Sequence, residues 1–275
     1  MPELPETETI ARDLDREIRG RTIGSVVVRR PDVLRDVTPV GLKNRLTGAS
    51  IMRCWRRAKL VVLDLSTGER IVVQPRFTGA LLLSRGPLPA PEAAYSTLHL
   101  SLDDGRDLHY RDIRRLGTVA LMSPERFEEY VGALGVEPLD PAFTAAHLSG
   151  ILRGSRQAVK KVLMDQRVLV GIGNIYANEA CWRAAVDPSR SARSVGPDEV
   201  VRLRDGIVSV LTESIQARGT SFRDYRDASG GKGDFQRSLA VYGRGGELCV
   251  RCGARLIETH AIDSRSTVLC AGCQR

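Results

Sequence analysis

Residues 249–252 read Cys-Val-Arg-Cys and residues 270–273 read Cys-Ala-Gly-Cys, with 17 residues between the two pairs. Two Cys-x-x-Cys pairs at this separation predict a zinc ribbon, a β-hairpin whose four thiolates hold one zinc ion tetrahedrally. The predicted ligands are Cys249, Cys252, Cys270 and Cys273. Because four thiolates leave no coordination position open, the predicted zinc is structural and not catalytic. A coincidental thiol cluster or a redox pair is the alternative, which the paired spacing disfavours.

The region before this hairpin is predicted to be helical. Its apolar residues follow helical patterns over residues 144–153, 155–165, 174–185 and 197–217. Two glycines in residues 171–173 lead into Asn174, where the first amides of a helix form a ready site for phosphate. The glycine pair alone favours an ordinary turn, and the basic residues just before it, among them Arg156 and Lys160, strengthen the case for phosphate binding. An ordinary helix–helix turn with an asparagine cap remains the alternative.

The N-terminal half has a different character. A helix is predicted over residues 6–18, with Gly20 as its stop, and short β-rich runs follow between residues 26 and 122. Glycine and aspartate turns separate these runs, which indicates antiparallel strands in a sandwich or barrel. The fold class is therefore α+β. The predicted domains are an N-terminal β-sandwich domain with a long N-terminal helix, a linker, a helical domain and the zinc hairpin, at residues 1–132, 133–145, 146–244 and 245–275.

Composition narrows the class of protein. The 275 residues carry a net charge of +8, and 42% of them are hydrophobic, which excludes a disordered, collagenous or coiled-coil chain. A basic balance favours a polyanionic partner such as nucleic acid, although excess charge also serves solubility. No apolar run approaches the roughly 20 residues that cross a bilayer, and the acidic N-terminus is unlike a signal peptide. We therefore expect a cytoplasmic protein with reduced thiols and without a membrane partner.

The N-terminus offers a nucleophile. If Met1 is removed, Pro2 presents a secondary amine next to the carboxylates of Glu3 and Glu6. An α-amino group titrates near pH 8, so part of it is neutral and nucleophilic at physiological pH. Attack on a sugar C1′ would give an iminium ion with an acidified C2′ proton, and a nearby carboxylate could move protons in that reaction. Taken alone, proline and glutamate are also ordinary N-terminal residues.

Several motifs in order resemble one bacterial family of DNA repair enzymes. They are residues 1–6 (Met-Pro-Glu-Leu-Pro-Glu), 56–59 (Arg-Arg-Ala-Lys), 112–117 (Asp-Ile-Arg-Arg-Leu-Gly), 163–166 (Leu-Met-Asp-Gln) with 171–179, and the cysteine hairpin with Arg265-Ser266-Thr267. Together, over essentially the whole chain, they resemble the formamidopyrimidine-DNA glycosylase/endonuclease VIII family. The helical domain would then be a helix–two-turn–helix domain.

This resemblance implies a base-excision repair glycosylase that is also an apurinic/apyrimidinic lyase. Pro2 would form the Schiff base at C1′, and Glu3 would donate and accept protons. Lys59 and Arg265 would bind the phosphates of the lesion and assist β- and δ-elimination. Asn174 would complete the phosphate clamp. The expected partner is damaged double-stranded DNA, bound by a monomer associated with the nucleoid, and no organic cofactor is expected.

The resemblance also assigns DNA contacts outside the chemistry. Flipping a nucleotide leaves a gap in the duplex, which apolar wedges and an arginine commonly fill. Arg114 would meet the orphaned base, with Phe77 and Leu116 as wedges. Without the resemblance, Phe77 and Leu116 are equally well interpreted as ordinary core side chains at strand ends. Tyr95 stands where the family has a DNA-contacting histidine. Glu6 would orient the base or the N-terminus.

Some positions depart from the family pattern. Phe77 replaces a methionine wedge, Leu116 a phenylalanine, Tyr95 a histidine and Ile113 a proline, and these changes bear on lesion preference.

Leu4 and the glycine-rich residues 220–241 favour the formamidopyrimidine branch, which predicts excision of 8-oxoguanine and formamidopyrimidines. The alternatives are an endonuclease VIII-like glycosylase for other lesions, a non-catalytic zinc-ribbon protein that binds damaged DNA and, least favoured, a metal-dependent nuclease.

Overall fold

The computed structural model describes residues 2–275. The chain forms two compact units, and one of them is discontinuous in sequence. The first unit runs to Ala133 and also takes Ala217–Gln236, which we call the returning segment. The second unit consists of Leu134–Gln216 and Arg237–Arg275.

The first helix of the chain spans Leu4–Ile18, close to the predicted range. Pro5 lies in its first turn, where a missing N–H costs no helical hydrogen bond, and Glu6 places a negative charge near the helix N-terminus. Ile10, Leu14 and Ile18 recur along one face and are fully buried. The helix ends two residues before Gly20, the predicted stop.

The first unit contains two β-sheets and further helices. Its helices are α1 (Leu4–Ile18), α2 (Pro39–Leu46) and α3 (Pro124–Gly132). Its strands are β1 (Ile23–Val28), β2 (Leu34–Arg35), β3 (Ile51–Arg57), β4 (Leu60–Leu65), β5 (Arg70–Gln74), β6 (Gly79–Arg85), β7 (Ser96–Leu102), β8 (Arg106–Asp112) and β9 (Thr118–Met122). The strand orders are β1-β7-β8-β6 and β2-β9-β5-β4-β3.

The two sheets share one apolar core, which confirms the predicted β-sandwich. Residues of α1 and of both sheets contribute to this core, including Leu14, Val61, Leu100 and Leu108. The strand pairs are antiparallel except for β2 with β9, where the short strand Leu34–Arg35 runs parallel to its partner. This two-residue strand is not one of the β-rich runs predicted from the sequence, and those runs pair antiparallel as predicted.

The returning segment is held against the first unit by hydrogen bonds. The amide of Thr220 donates to Glu6 Oε1 at 2.8 Å, and the amide of Leu83 donates to the carbonyl of Ala228 at 2.8 Å. The Arg218 guanidinium donates to Asp13 on α1 at 2.5 Å. The sequence places these residues within a continuous 146–244 domain, whereas the structure groups them with α1 and the sheets. The predicted domain boundaries otherwise stay a prediction.

The second unit is helical and ends in a β-hairpin. Its elements are α4 (Ala145–Arg153), α5 (Val159–Leu163), α6 (Asn174–Ala184), α7 (Pro197–Gln216), β10 (Ile257–Thr259) and β11 (Thr267–Leu269). Helix α5 is shorter than the predicted 155–165, because the amides of Val159 and Lys160 donate to the carbonyls of Arg190 and Pro188 instead of continuing a helix backwards. Within residues 2–275, no helix combines the length and apolarity needed to span a membrane.

Candidate functional site

The start of α1 is a buried acidic corner. Pro2 is buried, and Glu3 and Glu6 expose only 2% and 1% of their surface. The amide of Glu3 donates to Glu6 Oε2 at 2.8 Å, while Glu6 Oε1 accepts the amide of Thr220. Both oxygens of one carboxylate are therefore engaged by backbone amides, so Glu6 fixes the backbone beside Pro2 and the returning segment at once.

Gly219 permits this contact. Its φ is +86°, a left-handed conformation that side chains with a Cβ rarely adopt, and a Cβ there would lie 3.0 Å from both Cγ and Oε1 of Glu6. The adjacent Arg218 forms hydrogen bonds with Asp13 and, at 2.6 Å, with Asp227. The returning segment is thus attached to α1 on both sides of this glycine.

Lys59 lies in a two-residue turn that joins β3 to β4. Arg57 pairs with Leu60 across the turn, and Ala58 adopts a positive φ of 54°. The Arg56 guanidinium donates to Glu8 Oε2 at 2.7 Å and to the carbonyl of Ala58 at 3.0 Å. Burial raises the pKa of the Glu8 carboxyl, but the charge and hydrogen bond of Arg56 outweigh burial and lower that pKa. Arg56 therefore ties the Lys59 turn to the second turn of α1.

The predicted wedges lie on two loops, 75–78 and 113–117, which we call the wedge loops. Phe77 and Leu116 are exposed by 45% and 39%, unusual values for large apolar side chains. The guanidinium carbon of Arg114 lies 4.9 Å from the centroid of the Phe77 ring, within cation–π range. The two wedge loops therefore present an aromatic, a cationic and an aliphatic side chain together.

A buried carboxylate holds the wedge loops together. Asp112 is 1% exposed and accepts hydrogen bonds from the Thr78 hydroxyl at 2.5 Å and from the Gly117 amide at 2.8 Å. The Thr78 oxygen in turn accepts the amide of Arg114 at 2.9 Å. A Cβ at Gly117 would lie 1.9 Å from the Tyr110 hydroxyl, so only glycine allows this approach.

Tyr95 ends a short 3₁₀ turn, Glu92–Tyr95, and is 37% exposed. The guanidinium of Arg111 lies 6.0 Å from the centroid of its ring, at the limit of cation–π range. Both aromatic residues that depart from the family pattern, Phe77 and Tyr95, therefore lie beside an arginine.

In the second unit, Asn174 and Lys160 converge on the residue that follows Arg265. The Asn174 side-chain amide donates to the carbonyl of Ser266 at 3.1 Å, and Lys160 Nζ donates to the same carbonyl at 2.7 Å. Lys160 Nζ also donates to the Thr267 hydroxyl at 2.8 Å. Arg265 itself is exposed on the turn between β10 and β11. These contacts fix the base of the turn that carries Arg265.

Lys160 lies deeper than the basic residues around it. Its side chain is fully buried, and its ammonium group donates to a carbonyl and a hydroxyl of the hairpin. Arg156 is exposed, in the loop before α5. Gly173 occupies the capping position of α6, and Asn174 is the first helical residue. The DNA contacts of Arg156, Lys160 and Asn174 stay predictions.

The four hairpin cysteines form a cluster that fits a tetrahedral metal ion. Their Sγ atoms all lie within 4.8 Å of one another, with 3.9 Å between Cys249 and Cys273 and 3.4 Å between Cys252 and Cys270. Metal–sulfur bonds of about 2.3 Å in a tetrahedron place sulfurs about 3.8 Å apart. Burial raises the pKa of the Cys249 thiol, but the amides of Arg251 and Cys252 outweigh it and lower that pKa to about 6. At Cys270 and Cys273, by contrast, burial raises the pKa of the thiol.

Sequence patterns did not reveal several residues that build these sites. Thr220, Arg218 and Asp112 work through hydrogen bonds to residues distant in the chain. The same is true of Asn178, whose Oδ1 accepts the amide of Val268 at 2.8 Å. Asp112 and Asn178 lie within the quoted motifs 112–117 and 171–179, but no role was assigned to either residue from the sequence.

Comparisons with known proteins cover the whole chain. Residues 1–119 match the family described as formamidopyrimidine-DNA glycosylase N-terminal domain, and residues 134–226 match the formamidopyrimidine-DNA glycosylase H2TH domain. The chain is 41% identical over 276 residues to the formamidopyrimidine-DNA glycosylase of Xanthomonas euvesicatoria pv. vesicatoria, with each chain covered completely.

Solved structures are also similar over nearly the whole chain. The Lactococcus lactis Fpg in complex with DNA that contains an abasic site is 32% identical, with a TM-score of 0.91 and 99% of each chain covered. The wild-type Lactococcus lactis Fpg in complex with DNA that contains N7-benzyl-Fapy-dG is also 32% identical, with a TM-score of 0.91 and complete coverage of both chains.

Proposed function

The chain belongs to the formamidopyrimidine-DNA glycosylase family, and from this premise we propose that it excises oxidised purines from damaged duplex DNA through a Schiff base at Pro2. The chain is thus a base-excision DNA glycosylase, and lyase activity is typical of its family. The observation that carries the specific proposal is the corner at α1. There the buried Glu3 directly follows Pro2, and the buried Glu6, one helical turn later, joins the backbone of Glu3 to the returning segment.

The proposed chemistry begins at the amine of Pro2, which requires removal of Met1, the one residue outside the described range. The amine nitrogen bonds to C1′ of the damaged nucleotide as the bond from C1′ to the base breaks, and a proton reaches the departing base. Glu3 is the proposed donor and acceptor of protons in this step. The amine then loses its proton, and the C1′–O4′ bond breaks as O4′ gains a proton, which opens the sugar ring and gives the iminium ion.

Elimination then cleaves the strand. The iminium acidifies the C2′ proton; its removal expels the 3′ phosphate, and a second elimination expels the 5′ phosphate. Lys59 and Arg265 are proposed to bind these phosphates and to stabilise the charge that develops on them. Arg56 holds the turn that carries Lys59, and Lys160 with Asn174 holds the turn that carries Arg265.

The lesion is proposed to lie under the returning segment, outside the base stack. Phe77, Leu116 and Arg114 would then occupy the gap, with Arg114 against the orphaned base, and Tyr95, Arg156 and Asn174 would contact the DNA backbone. The exposure of the wedges and the carboxylate that fixes their loops support this assignment. The relatives bound to abasic and Fapy-containing DNA are consistent with oxidised purines as the lesion class.

The proposed metal is one structural zinc ion held by Cys249, Cys252, Cys270 and Cys273. The cluster fits its geometry, and its chemical contribution would be to hold the hairpin in place, since four thiolates leave no position for substrate. The protein is also proposed to be a cytoplasmic monomer that associates with the nucleoid through DNA binding.

Borohydride trapping tests the proposed chemistry. Native protein is incubated with duplexes that contain 8-oxoguanine opposite cytosine, and the imine is reduced to a stable covalent adduct. We expect an adduct with the native protein and none with Pro2→Gly or with a form that retains Met1. Salt-sensitive binding without an adduct on any lesion would identify a non-catalytic DNA-binding protein. Efficient cutting of thymine glycol, with 8-oxoguanine left intact, would identify an endonuclease VIII-like specificity.

A further inference from the structure

Arg111 is a buried cation on β8 that the proposed chemistry does not use. Its side chain is only 4% exposed, and its charge is balanced by Glu92, which lies in the 3₁₀ turn before β7. Nε and Nη2 of Arg111 donate to the two oxygens of Glu92 at 2.6 and 3.4 Å. A buried guanidinium is retained in a fold only when such a partner and further acceptors satisfy it.

The further acceptors belong to two segments that the proposed function treats separately. Nη1 of Arg111 donates to the carbonyl of Thr78 at 3.1 Å and, at a longer 3.4 Å, to the carbonyl of Asp224. Thr78 directly follows the wedge Phe77, and its hydroxyl is bonded to Asp112. Asp224 lies in the returning segment, two residues after Phe222, which is 56% exposed.

The shape of the guanidinium makes these contacts interdependent. Its N–H groups lie in one plane at fixed angles, so a shift of one acceptor changes the alignment of the others. Glu92 occupies the edge formed by Nε and Nη2, and Nη1 is the nitrogen that reaches both carbonyls. One nitrogen of Arg111 therefore contacts both the returning segment and the backbone beside Phe77.

We propose that Arg111 is a positioning residue that couples the returning segment to the wedge loops, so that enclosure of the extruded base and filling of the gap occur as one event. The proposal rests on the proposed function, which places the lesion under the returning segment and the wedges in the gap. Tyr95, beside the same guanidinium, would lie at the edge of this coupled region.

Hydrogen exchange on the DNA-free protein tests the coupling itself. In Arg111→Lys the ammonium can still pair with Glu92 but cannot reproduce the planar set of donors. We expect amide exchange to become faster in residues 76–79 and 221–227 together. Arg106→Lys is the matched control, since Arg106 lies on the same strand, is 12% exposed and pairs with Asp104 and Glu17. Faster exchange in only one of the two segments, or the same pattern in the control, would overturn the proposal.

Single-turnover kinetics test its consequence for repair. Excision of 8-oxoguanine requires both enclosure and gap filling, whereas cleavage of a preformed abasic site has no base to enclose. We expect Arg111→Lys to slow excision about 10- to 100-fold, as small misplacements do, with a much smaller effect on abasic cleavage. Equal losses on both substrates would contradict the coupling. If the wild type excises no lesion, the proposed function fails, while the exchange experiment still decides whether Arg111 couples the segments.

Discussion

The amide of Thr220 donates a 2.8 Å hydrogen bond to the carboxylate of Glu6, although 214 residues separate the two in sequence. The other oxygen of that carboxylate accepts the amide of Glu3. One buried side chain therefore contacts the backbone beside Pro2, the proposed nucleophile, and the segment proposed to cover the lesion. The consequences of this arrangement can be measured, as can those of the contacts that Lys160 makes with Ser266 and Thr267 in the second unit.

Substitution of Gly219 should disturb this contact more than an equivalent change nearby. Gly219→Ala introduces both left-handed strain, about 1–2 kcal/mol, and a Cβ 3.0 Å from Glu6. Gly230→Ala is the control, because Gly230 has a similar φ of +84° and a Cβ there would meet no atom within 4 Å. We expect urea unfolding to show a larger loss of stability for Gly219→Ala, together with slower excision. Equal losses for the two variants would show that the contact with Glu6 is unimportant.

Removal of the buried ammonium of Lys160 should loosen the hairpin that carries Arg265. Lys160→Met leaves the Ser266 carbonyl and the Thr267 hydroxyl without their charged donor, which costs about 1.5–3 kcal/mol. Lys161→Met is the control, since Lys161 is partly exposed and pairs with Asp263. We expect faster amide exchange in residues 265–268 and weaker DNA binding only for Lys160→Met. A loss of DNA affinity without faster exchange would instead support direct phosphate contact by Lys160.

The stability of the first unit should fall on mild acidification because of His109. Burial lowers the pKa of His109 below its ordinary value, and the neighbouring His99 lowers it further. The unfolded chain therefore binds a proton more readily, so stability decreases as pH falls through about 6.5 towards the folded pKa. Thermal unfolding between pH 7.5 and 5.5 should show a smaller decrease for His109→Asn. The exposed His147→Asn should behave like the wild type, and an unchanged slope in His109→Asn would refute the assignment.

Zinc removal should abolish function without involving the reaction centre. We expect one zinc ion per chain, with metal–sulfur distances of about 2.3 Å by X-ray absorption. Forced release with a thiol-directed reagent should unfold the hairpin and reduce DNA affinity, and restoration of thiols and zinc should recover both. Undiminished abasic-site cleavage by the metal-free protein would contradict a structural role for the cluster.

The parts of the fold that follow from local pattern were predictable from the sequence. The cysteine spacing predicted the cluster, and the apolar periodicity of α1 predicted its extent to within two residues. Strand β8 was not predicted, because Arg106, His109 and Arg111 make it read as polar. Its charges are acceptable in a sheet only because Glu17 and Glu92 lie against them, and the sequence alone does not show such distant partners.

The candidate site also contains residues that the sequence could predict and residues that it could not. Pro2, Glu3, Lys59 and Arg265 were found from motifs whose roles stay predictions, while the residues that hold them were not found. Lys160 illustrates the reason: a basic cluster predicts a phosphate contact, but one ammonium of that cluster is satisfied by a carbonyl and a hydroxyl more than 100 residues later. Only the tertiary structure distinguishes the buried lysine from its exposed neighbours.

The discontinuity of the first unit has a consequence for biosynthesis. The chain leaves this unit at Ala133 and rejoins it at Ala217, so a ribosome must translate α4 to α7 before the acceptor on Glu6 meets its donor on Thr220. A nascent chain that stops at residue 133 has the sandwich strands but lacks the Thr220 amide that binds Glu6 in the acidic corner. Expression fragments cut between the units should therefore be poor substitutes for the full chain, and the acidic corner should be completed late in translation.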